Sequence, residues 1–192
     1  DIPVIPNAVP PWLLDYETEG WYSFGFAMSP THDKDVKIMS RHLKRFLENT
    51  PEASCHAIGA DYGIDMKLPR KQYRHTPWIK DVYKSFTAAD FLIGLAPLAP
   101  MVFNRSKSDL RFLQNAAVGI PTIVSDVAAY STVEHKETGF VVKYDHEWGG
   151  ALSAMYHDDF MREELAKNAK EYVTKNRTSD NTRPLWEEAL SG

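Results

Sequence analysis

Residues 91–124 read FLIGLAPLAPMVFNRSKSDLRFLQNAAVGIPTIV and contain one complete unit of strand, helix and strand. The continuous apolar run Phe91–Ala96 predicts a strand that is covered on both faces. A helix is predicted from about Ser108 to Val118, because Gly119 is typical of a helix end and Pro121 blocks any extension. Thr122–Val124 then predicts the next strand. A strand, a helix and a second strand in this order indicate a parallel pair joined by a crossover helix.

The same alternation of strands and helices runs through the rest of the chain. Aromatic or apolar segments predict three further strands, Trp21–Ala27, Ser54–Ile58 and Phe140–Val142. Apolar residues at helical spacing predict helices over Asp33–Leu47, Pro77–Phe86 and from Glu147 onward, with a break at Asn176–Pro184 before a last helix, Leu185–Leu190. The polar residues 61–74 predict an irregular connection. The expected fold class is therefore α/β, a Rossmann-like, doubly wound, mostly parallel sheet with helices on both faces.

Composition and charge narrow the possible classes of protein. A chain of 192 residues is long enough for one ordinary domain with its own core. The formal charge of −4 argues against a general nucleic-acid binder, which needs a basic surface. Cys55 is the single cysteine and cannot form an internal disulfide. The seven histidines and Cys55 show no metal-ligand spacing, so we expect no metal site.

The chain shows neither a signal peptide nor a run of about 18 apolar residues. We therefore expect a cytoplasmic protein. The first residue is Asp1 rather than methionine, from which we expect a processed chain, an excised domain or the later part of a longer polypeptide.

The loop between the strand and the helix of residues 91–124 combines basic and hydrogen-bonding side chains. Arg105 and Lys107 come just before the helix, with Asn104, Ser106 and Ser108 around them. The first N–H groups of a helix lack intrahelical partners, and the helix dipole makes this end electropositive. Two positive charges at the electropositive end of a helix repel it unless an anion is bound between them. These basic and hydrogen-bonding side chains together therefore suit a pyrophosphate. In an alternative interpretation of this loop, Arg105 and Lys107 are solvated surface charges and Ser108 is an ordinary helix N-cap.

Several segments follow, in order, the motifs of one known type of domain. The central one is Asn104–Asp126, NRSKSDLRFLQNAAVGIPTIVSD, which resembles the donor-site pattern fN..KS.lk..E.aa.GiP.vas. The others are Val4–Val9, Gly25–Asp35, Ala88–Leu98, Lys136–Val142, and Trp148 with Leu152. Together they resemble the C-terminal, nucleotide-sugar-binding domain of a GT-B fold, retaining-type glycosyltransferase of group 1, similar to family 4. The resemblance covers nearly the whole chain.

The resemblance implies one donor-binding domain over residues 1–192, with a leading segment over about 1–20 and a C-terminal tail helix over 176–192. The substrate would be a nucleotide-activated sugar, such as a UDP- or GDP-sugar, and no cofactor is expected. The acceptor would be held by an N-terminal domain that this chain lacks, or by a partner subunit. We expect a hexosyltransferase-like enzyme whose isolated domain is inactive or nearly so. Contact with a membrane surface stays open, although the acidic balance does not favour it.

The resemblance also assigns roles to individual residues. Lys107 and His32 would be the catalytic residues, because they would stabilise the departing diphosphate. The donor-binding residues would be Ser29, Lys34, Trp78, Asn104, Arg105, Ser106, Ser108, Gln114 and Tyr130. Other interpretations stay open for three of these side chains: His32 as part of a capping turn, Trp78 as a core aromatic and Tyr130 as a packing residue.

Three positions depart from the pattern of the resemblance. Gln114 stands where the family commonly has a glutamate that accepts hydrogen bonds from ribose hydroxyls, and it keeps an acceptor oxygen. Ser106 stands where the companion acidic residue lies near the sugar, and it supplies no negative charge. Met28-Ser29 replaces a common Gly-Arg pair. The alternative function is therefore a non-catalytic binding or assembly module that retains the glycosyltransferase fold.

Overall fold

The fold is built on six strands that form one sheet. A computed structural model describes residues 4–81, 84 and 87–191. Its strands are β1 (Tyr22–Met28), β2 (Cys55–Gly59), β3 (Tyr73–Pro77), β4 (Phe91–Ala96), β5 (Thr122–Ser125) and β6 (Phe140–Val142). They run in the order β3-β2-β1-β4-β5-β6, and every neighbouring pair is parallel. The predicted fold class is confirmed.

Helices cover both faces of this sheet. They are α1 (Asp33–Asn49), α2 (Leu110–Ala117), α3 (Trp148–His157), α4 (Asp159–Asn176) and α5 (Ser179–Ser191). The apolar sides of α1 and α3 pack together on one face, with Met39, Leu43 and Leu152 fully buried. The apolar side of α2 and the later part of α4 pack on the other face. Each such leucine stabilises the fold by about 1.5–3 kcal/mol. No helix in the described part of the chain combines the length and apolar character of a membrane span.

The crossover from β4 through α2 to β5 forms as the sequence predicts, and two glycines explain its close packing. Gly119 ends α2 with a φ of +76°, a conformation that side chains disfavour. A Cβ on Gly94 would lie 2.2 Å from Asn115 Nδ2, so any side chain in this part of β4 would push α2 away from the sheet. Glycine at these two positions therefore fixes where α2 ends and how closely it packs against the sheet.

Several sequence-based boundaries are wrong. Residues 73–77 form the edge strand β3, although Tyr73-Arg74-His75-Thr76-Pro77 is polar and half-exposed. Pro77 ends that strand and does not begin a helix, and residues 78–81 are not helical. The other part of the predicted helix includes four residues that lie outside the described residues, namely Val82, Tyr83, Ser85 and Phe86. The helical region after residue 147 is interrupted at Asp158, whose side chain caps α4. The predicted break at 176–184 is shorter, because α5 begins at Ser179 and contains Pro184.

A buried ion pair ties the N-terminal segment to the C-terminal helices. Arg177, between α4 and α5, donates from Nη2 to Asp109 Oδ1 at 2.8 Å and from Nε to the Asn7 carbonyl at 2.8 Å. Val9 pairs with Thr178 beside it. Asp109 immediately precedes α2, and its Oδ2 accepts from Thr132. The network therefore holds the start of α2 against both ends of the described chain.

Candidate functional site

The order of the sheet places a crevice at the carboxyl ends of β1 and β4. From β1 the chain builds outward through β2 and β3, then crosses back to place β4 on the other side of β1. Ligands of open α/β sheets bind at this kind of switch point. A cleft of about 140 Å³ lies here. Five of the predicted site residues line it, namely His32, Lys107, Ser108, Gln114 and Tyr130.

Asp35, in the first turn of α1, organises one wall of this cleft. Its side chain is 3% exposed, and Oδ1 accepts hydrogen bonds from the Ala99 N–H at 2.8 Å and from Asn104 Nδ2 at 2.7 Å. Oδ2 lies 2.7 Å from His32 Nδ1 and 3.2 Å from Lys107 Nζ. Burial by itself raises the pKa of Asp35, but the hydrogen bonds from Ala99 and Asn104 and the charge of Lys107 outweigh it, so the pKa lies below its ordinary value.

The contact with Asp35 selects one tautomer of the neutral His32 ring. Burial, and then the charge of Lys107, lower the pKa of His32, against an opposing effect of Asp35. An ionised Asp35 at 2.7 Å requires a proton on Nδ1, so Nδ1–H donates to the carboxylate. Nε2 then carries the lone pair and donates a hydrogen bond only when the ring is protonated. Lys107 completes the group with Nζ 3.3 Å from His32 Nδ1 and 5.4 Å from the centre of the Phe103 ring.

Tyr62 fixes the loop that leads from β1 to α1. Its hydroxyl donates to the Ser29 carbonyl at 2.7 Å and accepts from the His32 N–H at 3.1 Å. Ser29 Oγ lies 2.8 Å from Thr31 Oγ1. Because Tyr62 is 3% exposed, these contacts are anchored in the core below the loop. The backbone that presents His32 to the cleft is therefore held by the core of the domain.

The opposite wall is formed by α2, and its polar groups are less completely paired. Gln114 is only 8% exposed, yet its Oε1 has no hydrogen-bond partner among the described residues. Arg111 is half-buried in the lining and forms no ion pair within the described part of the chain. Tyr130 lies behind them, and burial raises the pKa of its hydroxyl. This wall holds one uncompensated cation and one unsatisfied acceptor.

The remaining predicted residues lie outside the lining of the cleft. Asn104 is buried, and its amide donates to Asp35 and to the Ala99 carbonyl at 2.8 Å. Exposed or partly exposed side chains beyond the lining are Ser29, Lys34, Arg105, Ser106 and Trp78. Trp78 is 66% exposed and lies over Gly59 at the end of β2. Their roles in binding stay predictions. Ser108 is not the N-cap of α2, since that position belongs to Asp109.

Sequence reasoning missed Asp35, Tyr62 and Arg111. One signal was present, because a histidine three residues before an aspartate at a helix start brings the two side chains together. No local pattern points to Tyr62, which reaches the loop from a segment thirty-three residues later. Among the described residues, no group of three or more histidine, cysteine or acidic side chains has the arrangement of a metal site.

Comparison with solved structures identifies proteins of the same architecture. The C-terminal domain of a glycosyl transferase group 1 family protein (LpcC) from Francisella tularensis superposes with a TM-score of 0.67 at 18% identity, covering 89% of this chain and 99% of that domain. Anabaena Alr3699/HepE, crystallised with UDP and glucose, gives 0.77 at 15% identity, and the glycosyltransferase WaaG, involved in lipopolysaccharide biosynthesis, gives 0.75 at 13%.

These similarities establish the fold. In both HepE and WaaG the match covers 99% of this chain and 56% of the other, so the chain spans about half the length of those two proteins. No family model matches the chain by sequence, and no curated protein does. The chain therefore has the Rossmann-like fold of a GT-B C-terminal domain, as the sequence resemblance predicted.

Proposed function

We propose that this chain is the donor-binding domain of a glycosyltransferase and binds a nucleotide-activated sugar in the cleft between β1 and β4. The observation that carries the proposal is the convergence of His32, Lys107 and Arg111 on the start of α2, where Asp35 contacts only the first two. Two cations, a protonatable ring and the unpaired N–H groups of a helix favour a diphosphate over any neutral ligand. HepE, which shares the fold, was crystallised with UDP and with UDP-glucose.

The same groups provide a mechanism for the proposed transfer. When the bond from the anomeric carbon to the diphosphate breaks, negative charge develops on the diphosphate oxygen. Lys107 and the first N–H groups of α2 face that charge, and His32 adds a hydrogen bond from Nε2 once its ring is protonated. Donors that are already in place stabilise such charge without reorganisation. No step of this scheme requires a metal ion or another cofactor.

The acceptor would be held by an N-terminal domain or a partner subunit. The segment before Val9 and the start of α5 meet at the Arg177 network. Exposed apolar side chains mark both of these segments, Val4 on the first and Leu185, Trp186 and Leu190 on α5. We infer that this area faces the second domain.

Calorimetric titration of the chain with nucleoside diphosphates and nucleotide sugars tests the proposal. We expect binding of at least one UDP or GDP compound, and an affinity about 10- to 100-fold weaker in Lys107→Ala, because a charge-assisted contact is lost. Lys37→Ala removes an exposed lysine of α1 and is the matched control. If no nucleotide binds at millimolar concentration, or if both variants bind as the wild type does, the proposal fails.

Gln114 and Ser106 favour a second candidate, a non-catalytic binding or assembly module. Neither side chain supplies the negative charge that would stabilise a positively charged sugar at the reaction centre. The two candidates differ in turnover of a UDP- or GDP-sugar by the full-length protein. An enzyme releases nucleoside diphosphate and loses this activity in Lys107→Ala. A binding module retains the donor without releasing nucleoside diphosphate.

A further inference from the structure

The three basic side chains of the cleft differ in what neutralises them. His32 and Lys107 both contact Asp35 Oδ2. Asp35 already has four donors, counting the Ala99 N–H and the Asn104 amide, which is the capacity of a carboxylate. Arg111 shares none of these contacts, and no described residue forms a hydrogen bond or ion pair with its guanidinium. Its charge is the one that the cleft leaves uncompensated within the described chain.

This arrangement is unfavourable for the free protein. Arg111 lies in the first turn of α2, where the helix dipole repels a cation. It is also half-buried, and burial lowers its pKa below the ordinary value, although an arginine stays protonated at neutral pH. Both effects reverse when an anion binds beside it. An apolar or neutral ligand would leave the guanidinium unpaired.

Gln114 supplies an independent sign of what lies next to that anion. It follows Arg111 by three positions on α2, so both side chains project from the same side of the helix, with Cβ atoms about 5–6 Å apart. More than nine-tenths of Gln114 is buried in the lining of the cleft, and its Oε1 lacks a donor among the described residues. A sugar hydroxyl beside a phosphate matches this pair, which a free phosphate does not.

We propose that Arg111 is a direct ligand of the donor diphosphate and supplies the second positive charge of the cleft beside Lys107. The inference rests on the proposed function and adds a residue on α2 to the groups that would hold the diphosphate. A guanidinium presents two parallel N–H groups to two phosphate oxygens, whereas Lys107 provides a single charged donor. The loop from Ser29 to Thr31 carries no cation, so α2 provides the second positive charge of the cleft.

Binding and thermal unfolding of Arg111→Gln, Arg111→Lys and Arg41→Gln test this assignment. Arg41 is exposed on α1, lies outside the cleft lining and is the matched control. With UDP and GDP as probes, we expect Arg111→Gln to bind about 10- to 100-fold more weakly than the wild type and Arg111→Lys to recover part of that loss. Arg41→Gln should stay within about twofold. Without nucleotide, Arg111→Gln should raise the unfolding midpoint by about 2–4 °C, since an unpaired cation is removed.

Each outcome separates this assignment from the proposed function. Binding by the wild type together with unchanged binding by Arg111→Gln would overturn the role of Arg111 alone. So would a lower unfolding midpoint in Arg111→Gln, because Arg111 would then be a structural residue. If the wild type binds neither UDP nor GDP at millimolar concentration, the proposed function fails and the assignment of Arg111 fails with it.

Discussion

Two buried aspartates hold basic side chains in this fold, and they do so in opposite ways. Asp109 and Arg177 are both at most 7% exposed as side chains, and the Asn7 carbonyl and the Thr132 hydroxyl complete their hydrogen bonds. Asp35 is equally buried, but His32 and Lys107 beside it are 22% and 21% exposed and line the cleft. The first network is closed and fastens chain segments to each other. The second is open on one side and leaves its basic side chains partly exposed in the cleft.

The largest effect should come from the closed network. Arg177→Ala leaves the Asp109 carboxylate buried without its cation, and we expect the free energy of unfolding to fall by about 3–5 kcal/mol. Urea denaturation measures this change. Arg183→Ala removes an arginine from the exposed pair with Asp180 and should cost less than about 1 kcal/mol. Equal effects of the two substitutions would show that Asp109 and Arg177 do not form a closed network.

The open network should lose stability and binding together. Asp35→Asn places an amide against the Nδ1–H of His32, and we expect the free energy of unfolding to fall by about 2–3 kcal/mol. Diphosphate affinity should also fall, by about 3- to 10-fold, because Lys107 loses the contact that positions it. Removal of the negative charge opposes this loss. If calorimetry showed tighter binding in Asp35→Asn, Asp35 would act as a competitor of the ligand and not as a positioning residue.

Glu48→Gln is the control for that measurement. Glu48 pairs with Lys44 on the exposed side of the same helix, far from the cleft lining. Its loss should change the free energy of unfolding by about 0.5 kcal/mol or less and leave nucleotide binding unaltered.

The smallest effect concerns the protonation of His32. In the free protein the pKa of His32 is lower than in the unfolded chain. The unfolded chain therefore takes up a proton at this residue more readily as the pH falls below about 6.5, and His32 reduces the stability of the fold there. A bound diphosphate favours the imidazolium, whose Nε2–H donates to it. Affinity for UDP-glucose, whose phosphates do not titrate in this range, should therefore rise about 3- to 10-fold as the pH falls from about 8 to 6.

Calorimetry in buffers of different ionisation enthalpy measures the linked proton uptake. His32→Gln should abolish the uptake and flatten the pH dependence. Proton uptake that persists in His32→Gln would place the titrating group elsewhere.

The contrast between the two networks also explains what the sequence can predict. Phe91–Ala96 and Phe140–Val142 are uninterrupted apolar runs, so local pattern locates these strands to the residue. Edge strand β3 pairs only with β2, carries no apolar alternation and ends in Pro77, so its pattern is that of a loop. Lys107 and His32 stand in recognisable motifs. Asp35 becomes a site residue only through Ala99 and Asn104, more than sixty positions away.

Arg111 is a second residue whose place in the cleft the local sequence does not predict. A basic residue in a helix that otherwise alternates apolar and polar positions has the pattern of a solvated charge. Only the packing of α2 against the sheet, which Gly94 permits, turns its side chain toward the crevice. Local sequence therefore predicts elements and motifs well, whereas burial and pairing depend on contacts between distant segments.

The most direct test is to map nucleotide binding onto the backbone by NMR. In a titration of the ¹⁵N-labelled chain with UDP-glucose or a GDP-sugar, we expect the amides of Ala27, Leu98 and Ser108 and the side-chain amide of Gln114 to shift together. The amides of Thr132 and Arg177, in the closed network, should stay in place. Shifts confined to another surface, such as the hollow between Asp61 and His75, or no shifts at millimolar nucleotide, would contradict a donor site at the crevice of β1 and β4.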